Sequence, residues 1–254
     1  MANEVLRERR GHVEILTINR PEARNAMNRA AAIALSDALD DCASDDEVWA
    51  VVVTGAGDKA FSAGMDLKAF AQGEFPATDQ GFGGITNRVF AKPLIAAANG
   101  AALAGGFEML ISCDLVVAAE HARFGIPEAQ RGLVAGAGGL IRLAKRIPLA
   151  IAYEMALTAD PIDAERAYEL GLVNRVVPGD QVLDVAVALA ERICQNAPLA
   201  VRTSKDVMYR SLEMSEEAAW AMNNEAFGMI GRSADALEGA IAFAEKRAPQ
   251  WTGA

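Results

Sequence analysis

The sequence has few cysteines and histidines, and their positions argue against disulfides and the common metal motifs. The three cysteines, Cys42, Cys113 and Cys194, lie far apart and include no C-x-x-C pair, which fits reduced thiols better than disulfides. The two histidines, His12 and His121, share no metal-binding spacing with each other or with a cysteine. We therefore expect no bound metal ion.

Long apolar runs are also absent. No stretch approaches the ~20 apolar residues that a membrane span needs, and the first ten residues contain no apolar signal region. The formal net charge is −10, so nucleic acid and anionic membrane surfaces are poor partners. Hydrophobic residues make up 52% of the 254 residues, enough for a sizeable core. We predict a soluble, cytoplasmic protein.

Several motifs for nucleotide binding or nucleophilic catalysis are missing. The sequence contains no G-x-S-x-G elbow and no Walker A loop. Residues 55–60 (GAGDKA) fit G-x-G-x-x-A after an apolar run, but a dinucleotide fingerprint must open a helix. The residues that follow, 61–64 (FSAG), are typical of more loop. We therefore do not predict a bound NAD.

Hydrophobic patterning predicts strands followed by helices, with only helices near the C-terminus. The predicted strands are 13–18, 48–54, 94–98 and 115–118. The predicted helices are 29–41 with an Asn28 cap, 105–112, 139–146, 149–157, 163–170, 199–208, 216–228 and 233–246. Residues 70–88 are rich in glycine and are predicted to form a mobile loop.

Two glutamates, Glu108 and Glu128, stand in glycine-rich, apolar surroundings. Carboxylates are seldom placed among small and apolar residues without a partner or a task. Each also has a simpler interpretation, Glu108 as a surface glutamate favoured by a helix dipole and Glu128 as a solvated turn residue. If the fold brings them together, the pair can serve as general acid and general base.

These segments resemble the crotonase (enoyl-CoA hydratase/isomerase) superfamily along nearly the whole chain. The matching segments are 19–28 (NRPEARNAMN), 61–66 (FSAGMD), 99–108 (NGAALAGGFE), 124–128 (FGIPE), 164–177 (AERAYELGLVNRVV) and 238–247 (EGAIAFAEKR). The resemblance implies an α/β fold, a spiral of ββα units over 1–196. It also implies a C-terminal helical region, 197–254, that builds homotrimers, commonly paired into hexamers, and covers CoA.

The resemblance also assigns an oxyanion hole and a catalytic pair. The N–H groups of Ala63 and Gly105 would hold the thioester oxygen as negative charge develops on it. Gly105 opens a predicted buried helix, so its N–H should lack an intrahelical partner. These small residues could instead only permit tight packing. Glu108 and Glu128 match the two glutamates of hydratases, although the sequence does not assign acid and base.

The resemblance further implies contacts to coenzyme A, which would be part of the substrate and not a separate cofactor. The pantetheine and adenine path would follow Ala63, Gly64, Met65, Asp66, Leu67 and Lys68. Arg24 or Lys68 would meet a phosphate. Near the C-terminus, Phe243 and Lys246 would cover the adenine of the same or a neighbouring subunit.

The expected activity is therefore reversible hydration of a 2-enoyl-CoA, with no metal or redox cofactor. Other crotonase-type enzymes stay open, namely an enoyl-CoA isomerase or a carnitinyl-CoA-type dehydratase, and so does a non-catalytic acyl-CoA-binding protein. Residues 104–107 (AGGF) depart from a common Gly-Gly-Gly-Cys, and Phe107 should alter the packing behind the site. Gly-Gly-Phe-Glu with Ile-Pro-Glu-Ala also resembles carnitinyl-CoA dehydratases, which leaves the acyl group open.

Overall fold

The computed structural model describes residues 3–254, and two mostly parallel sheets, each with one antiparallel edge strand, form its centre. The strands are β1 Val5–Arg10, β2 Val13–Ile18, β3 Ala50–Gly55, β4 Ala60–Ser62, β5 Ala77–Thr78, β6 Gly81–Phe82, β7 Leu94–Ala98, β8 Ala101–Leu103, β9 Leu115–Ala119, β10 Arg123–Gly125, β11 Ile162–Asp163 and β12 Arg175–Val177. The first sheet has the order β1-β2-β3-β7-β9-β12, and the second has the order β11-β10-β8-β4. A separate hairpin joins β5 and β6.

Ten helices surround these sheets in the described residues 3–254. They are α1 Arg29–Ser44, α2 Leu67–Phe70, α3 Gly105–Leu110, α4 Gly139–Arg146, α5 Leu149–Thr158, α6 Ala164–Glu169, α7 Val182–Cys194, α8 Pro198–Ser211, α9 Glu216–Ile230 and α10 Ala234–Glu245. The Asn28 side chain accepts a hydrogen bond from the Ala31 N–H at 2.8 Å, so the predicted cap of α1 is confirmed.

Successive pairs of strands add one strand to each sheet, which confirms the expected spiral of ββα units. Each of β3, β7 and β9 adds a parallel strand to the first sheet, and the next strand, β4, β8 or β10, adds a parallel strand to the second. A helix follows each of these pairs. The inner strands β3, β7 and β9 are almost entirely apolar and buried, because both of their faces are covered, whereas the edge strand β1 is mostly charged and exposed. Helix α7, which the sequence analysis did not predict, packs across β3, β7 and β9.

Residues 70–88 are mostly turns, as the predicted loop requires, but they are more ordered in structure than a simple loop, and their mobility stays a prediction. This segment contains the β5–β6 hairpin and then packs against two helices. A Cβ on Gly83 would lie 2.7 Å from the Met109 Sδ of α3, and one on Gly84 would lie 2.7 Å from the Ala32 carbonyl oxygen of α1. Both glycines have positive φ, so they serve close packing here, whereas the sequence analysis took them as a sign of mobility.

The glycine-rich segment 55–60 does not open a helix. Gly55 ends β3, and the chain bends and enters β4 at Ala60. A Cβ on Gly55 would lie 2.5 Å from the Ala60 carbonyl oxygen, so this glycine allows a tight turn between strands. The expectation of more loop at 61–64 is wrong for Phe61 and Ser62, which lie in β4, although the chain opens no helix at this point.

The last three helices attach to the core through a few polar contacts and expose much apolar surface. The Lys205 ammonium of α8 meets the Asp114 carboxylate at 2.6 Å, and the Trp251 indole donates to the Gln195 carbonyl at 2.8 Å. Exposed apolar side chains on α8, α9 and α10 include Met208, Trp220, Phe227, Leu237 and Phe243. The division at residue 196 and the trimer stay predictions. Within residues 3–254, none of the helices has the length and apolar character to span a bilayer.

Ala104 occupies a backbone conformation that favours glycine, with φ 52° and ψ −131°. We expect Ala104→Gly to raise the free energy of unfolding by about 1 kcal/mol, because relief of strain exceeds the added entropy of the unfolded chain. Urea denaturation measures this change. The matched control Ala101→Gly, in β8 with negative φ, should lower stability by about 0.5–1 kcal/mol. Equal losses in the two variants would contradict the strain at Ala104.

Candidate active site

Three neighbouring strands of the second sheet deliver the candidate catalytic segments. Strands β4, β8 and β10 are parallel and adjacent, with Ser62 and Phe124 both in register with Ala102. Their carboxyl ends therefore meet at one edge of the sheet, where ligands bind in many α/β proteins. The segment after β4 carries Ala63 to Asp66, Gly105 follows β8, and Glu128 follows β10.

The Gly105 N–H is free, as the sequence predicted. Gly105 is the first residue of α3, and within residues 3–254 its N–H has no hydrogen-bond acceptor. Backbone segments approach closely here because side chains are absent. A Cβ on Gly64 would lie 3.0 Å from the Gly105 nitrogen, and one on Gly106 would lie 2.1 Å from the Ser62 carbonyl oxygen. Only glycine permits this contact between the end of β4 and the start of α3.

The prediction that Ala63 supplies the second donor is wrong. The Ala63 N–H donates to the Arg24 carbonyl at 3.0 Å, because the segments 24–27 and 63–66 run side by side. The Asp66 N–H likewise donates to the Met27 carbonyl at 2.9 Å. Successive N–H groups in an extended segment point in opposite directions, so the Met65 N–H points away from Met27. In the described part of the chain it has no acceptor, which makes Met65 the available donor.

Glu108 is a buried carboxylate held by backbone. Its side chain is 3% exposed, and Oε1 accepts hydrogen bonds from the N–H groups of Ala137 at 2.7 Å and Gly139 at 2.8 Å. Gly139 begins α4, and a Cβ there would lie 2.9 Å from the Glu108 Cγ. The glycine-rich turn before α4 therefore fixes the direction of the Glu108 carboxyl and leaves Oε2 without a partner among residues 3–254.

Burial and hydrogen bonding act against each other on Glu108. Burial raises the pKa of its carboxyl, while the two backbone N–H groups and the Arg142 guanidinium lower it, and the net shift is upward. Glu108 therefore differs from a solvated surface glutamate, which was the simpler interpretation of the sequence.

Glu128 lies in a short 3-10 helix, Pro127–Arg131, and is half-buried. Its Oε2 is buried, and within the described residues it has no hydrogen-bond partner. Burial raises the pKa of Glu128, and the negative charge of Glu108 raises it further, whereas its own backbone N–H and Arg131 lower it. Because Glu108 and Glu128 follow the neighbouring strands β8 and β10, the fold brings the predicted pair to the same edge of the sheet.

A cavity of about 490 Å³ opens beside the end of β4. Its lining includes Ala63 and Arg24 from the predicted ligand path, and also Lys59, Leu103 and His121. Its volume lies within the range of small-molecule sites. Two cationic side chains on its lining fit a phosphate-bearing ligand such as CoA, and the sequence analysis had identified only Arg24.

The remaining residues of the predicted path have mixed positions. Gly64 is buried against Gly105, whereas Leu67 and Lys68 are exposed on α2. The Asp66 side chain caps α2 and meets the Arg20 guanidinium at 3.0 Å. Burial opposes ionisation of Asp66, but Arg20 and the backbone N–H groups outweigh it and lower its pKa. Asp66 therefore orders this segment, and its carboxylate is not free to bind a ligand.

Phe243 and Lys246 lie at the end of α10. Phe243 is 88% exposed, and Lys246 is the exposed C-cap residue with φ 56°. Neither residue lines the cavity beside β4. Their predicted contact with CoA stays a prediction, and the exposed Phe243 ring has no cover within the described part of this single chain.

Phe107 packs behind the site, as expected from its size. It is fully buried, and its ring centroid lies 6.3 Å from that of Phe124 on β10. This contact joins α3, which carries Glu108, to the strand that leads to Glu128.

Three features escaped the sequence analysis. These are the free N–H of Met65, the N–H groups of Ala137 and Gly139 that hold Glu108, and Arg142 near Glu108. The alternation of N–H directions along an extended segment could have identified Met65 once its pairing with Met27 was known. The run 136–139 (GAGG) directly before a predicted helix was a signal for an anion-binding turn.

Comparisons with known proteins cover almost the whole chain. A model of the enoyl-CoA hydratase/isomerase family matches residues 8–254. Carnitinyl-CoA dehydratase from Salmonella arizonae is 40% identical over 100% of both chains. The structure of enoyl-CoA hydratase from Mycobacterium tuberculosis H37Rv is 50% identical, with a TM-score of 0.96 over 99% of this chain and 100% of that one. That of carnitinyl-CoA hydratase from Mycobacterium avium is 46% identical, with a TM-score of 0.81 over 100% of both.

The raised pKa of Glu128 predicts a pH-dependent gain in stability for Glu128→Gln. An unfolded glutamate titrates near pH ~4.3, so the folded wild-type protein loses stability as pH rises from there through its raised pKa. At pH ~7.5 the variant should be more stable by about 1 kcal/mol or more. Below pH ~4, where both states are protonated, the difference should nearly vanish. Urea denaturation at the two pH values tests this, and a pH-independent difference would contradict it.

Proposed function

The chain belongs to the enoyl-CoA hydratase/isomerase family, and we propose that it adds water reversibly to a 2-enoyl-CoA thioester. Membership makes it a crotonase-type acyl-CoA enzyme. The observation that carries the finer proposal is that a buried and a half-buried glutamate follow neighbouring strands, close in the chain to two backbone N–H groups that have no acceptor within residues 3–254. Hydration needs both a base for water and an acid for the α-carbon, and this site offers a carboxyl for each.

The free N–H groups of Met65 and Gly105 would bind the thioester oxygen. Attack of water on the β-carbon moves negative charge onto that oxygen, and fixed N–H groups stabilise it without reorganising. In other enzymes the loss of one such donor slows turnover by about 10²–10³-fold. The close backbone contact at Gly64 holds the two segments in place.

The environments of the two glutamates suggest their roles. Glu108 accepts two backbone hydrogen bonds, which favour its ionised form, and its free Oε2 can accept a proton from water. Burial and the charge of Glu108 favour the protonated form of Glu128, and its Oε2 is unpartnered. We therefore assign Glu108 as the base and Glu128 as the acid of hydration.

The proposed steps account for every bond, electron pair and proton in the reaction. A water molecule forms a C–O bond to the β-carbon and gives one proton to Glu108, while the C=C electrons form an enolate on the thioester. Glu128 then gives its proton to the α-carbon, and the thioester carbonyl returns. One proton passes from Glu108 to Glu128 before the next cycle, so the net change is the addition of one water.

Coenzyme A would extend from the thioester, held at the N–H groups of Met65 and Gly105, into the cavity beside β4. Ala63 lies on its lining and Arg24 and Lys59 supply cationic groups for phosphates. Phe243 and Lys246 are exposed at the end of α10, where a neighbouring subunit of a trimer could use them over its adenine. The proposal therefore includes a homotrimer, which can also pair into a hexamer. Sedimentation as a monomer would exclude both assemblies.

A second candidate is a carnitinyl-CoA-type dehydratase. Eight curated relatives with that name are 40–41% identical to this chain, while solved structures named as enoyl-CoA hydratases reach 50–51%. Comparing the rates of dehydration of carnitinyl-CoA and 3-hydroxybutyryl-CoA separates the two. Faster dehydration of carnitinyl-CoA would identify a carnitinyl-type acyl group as the substrate in place of a simple one. The proposed chemistry of the two glutamates would not change.

Glu108→Gln and Glu128→Gln should each lower hydration of crotonyl-CoA by about 10²–10⁴-fold, the usual contribution of a positioned acid or base. Both variants should still bind acyl-CoA, because neither side chain lines the cavity beside β4. A spectrophotometric assay with crotonyl-CoA measures the loss. The control Glu120→Gln changes an exposed glutamate at the end of β9 and should hydrate at the wild-type rate. Near-wild-type hydration by either active-site variant would remove that glutamate from the mechanism.

Lys246→Ala should raise KM for a CoA thioester more than for the matching pantetheine thioester. Only CoA carries the adenine and the ribose phosphate that Lys246 is proposed to contact. We expect an increase of about threefold to tenfold with CoA, as for one exposed charge contact, and little change with pantetheine. Steady-state kinetics with both substrates measures this, and equal changes would exclude Lys246 from the CoA site.

A further inference from the structure

A second, larger cavity of about 850 Å³ lies between α4, α8 and α9. Its remaining walls come from segments 87–94 and 111–114. Eight of its lining residues are arginine or lysine and four are aspartate or glutamate. The cavity therefore has an excess of four positive charges in a chain whose formal net charge is −10.

Four of these cations are compensated by carboxylates. The ion pairs are Lys205 with Asp114 at 2.6 Å, Arg210 with Asp206 at 3.2 Å, Arg88 with Asp40 at 2.6 Å, and Lys145 with Glu213. Three of the four lining acids are thus already engaged, and Glu225 is the one that remains.

Four guanidinium groups form no ion pair with a carboxylate within the described residues, although Arg142 also acts electrostatically on Glu108. Arg142 and Arg146 donate only to backbone carbonyls. Arg202 and Arg232 have no hydrogen-bond acceptor within residues 3–254, and the Nε of Arg202 is buried without a partner. Burial lowers the pKa of Arg146, Cys113 and Asp114 oppose this shift, and the neighbouring Arg142 adds a small further lowering.

We propose that this cavity binds a small polyanion through Arg142, Arg146, Arg202 and Arg232. Guanidinium groups form paired hydrogen bonds with the planar oxygens of carboxylates and with phosphates. Because these four guanidinium groups form no ion pair with a carboxylate, several of their N–H donors are available to such a ligand. The ligand class is a di- or tricarboxylate or an organic phosphate, and a cationic group would be repelled.

The cavity adjoins the catalytic carboxylate. Gly138 and Arg142 line it, and the next residue after Gly138 donates to Glu108. The anion could be a free metabolite or a carboxylate at the far end of a substrate's acyl group, and the arginines would recognise both in the same way. Binding of a free anion does not depend on the proposed function, whereas binding of an acyl carboxylate rests on it.

Citrate binding measured by calorimetry at constant ionic strength tests the proposal. Wild-type protein should bind citrate, and citrate should raise its Tm. Arg202→Gln and Arg232→Gln should each weaken binding by about tenfold or more. Arg192→Gln, which removes the same charge from the exposed face of α7, should bind as wild type does. Arg232 is itself exposed, so that variant should fold even if Arg202→Gln does not.

Steady-state kinetics distinguishes a free anion from a carboxylate on the acyl group of the substrate. If the anion is part of the substrate, an enoyl-CoA with a distal carboxylate, such as glutaconyl-CoA, should have a lower KM than crotonyl-CoA in the wild type, and Arg232→Gln should abolish that difference. If KM is the same for both substrates while citrate still binds, the ligand is a free anion. Absence of citrate binding in the wild type, or equal binding by all variants, would overturn the proposal. Absence of turnover with intact citrate binding would instead contradict the proposed function.

Discussion

The site depends on one close contact of backbone with backbone, where the end of β4 meets the start of α3. Gly64 and Gly106 leave no room for a Cβ at this contact, and the parallel pairing of β4, β8 and β10 sets its position. The contact places the free N–H groups of Met65 and Gly105 on neighbouring segments. Because these donors belong to the backbone, their directions are fixed by the sheet and not by side-chain rotamers.

A second constraint is the burial of two carboxyls within electrostatic reach of each other. The turn before α4 holds Glu108 through two N–H groups, whereas Glu128 has an unpartnered oxygen. Burial raises the pKa of both carboxyls, and the proposed division of roles between acid and base rests on their different hydrogen-bond partners. The arrangement also lowers stability at neutral pH, because a buried charge without a partner is unfavourable.

Within the described residues, sequence patterns predicted eight of the ten helices and four strands of the first sheet, which are apolar runs, but none of the short strands of the second sheet, which carries the site. The strand at 13–18 and the helix at 139–146 agree with the structure at both ends. Helix α7 was missed although its buried residues Val182, Ala186, Val187 and Ala190 recur at helical spacing, and the glycines of 70–88 serve close packing, which their composition does not show. At the site, the residue types identified both glutamates and Gly105. The choice between Ala63 and Met65 depends on pairing with residues 24–27, which no local pattern shows.

The central claim is that the N–H groups of Met65 and Gly105 polarise the thioester carbonyl. Infrared difference spectroscopy of ¹³C-labelled crotonyl-CoA bound to the slow Glu128→Gln variant measures this polarisation directly. The account predicts that the carbonyl stretch moves to lower frequency on binding. Replacing Met65 by its α-hydroxy acid, which converts the N–H to an ester oxygen, should remove much of that shift. The same replacement at Ala63 should leave it unchanged, and loss of the shift at Ala63 with its retention at Met65 would contradict the account.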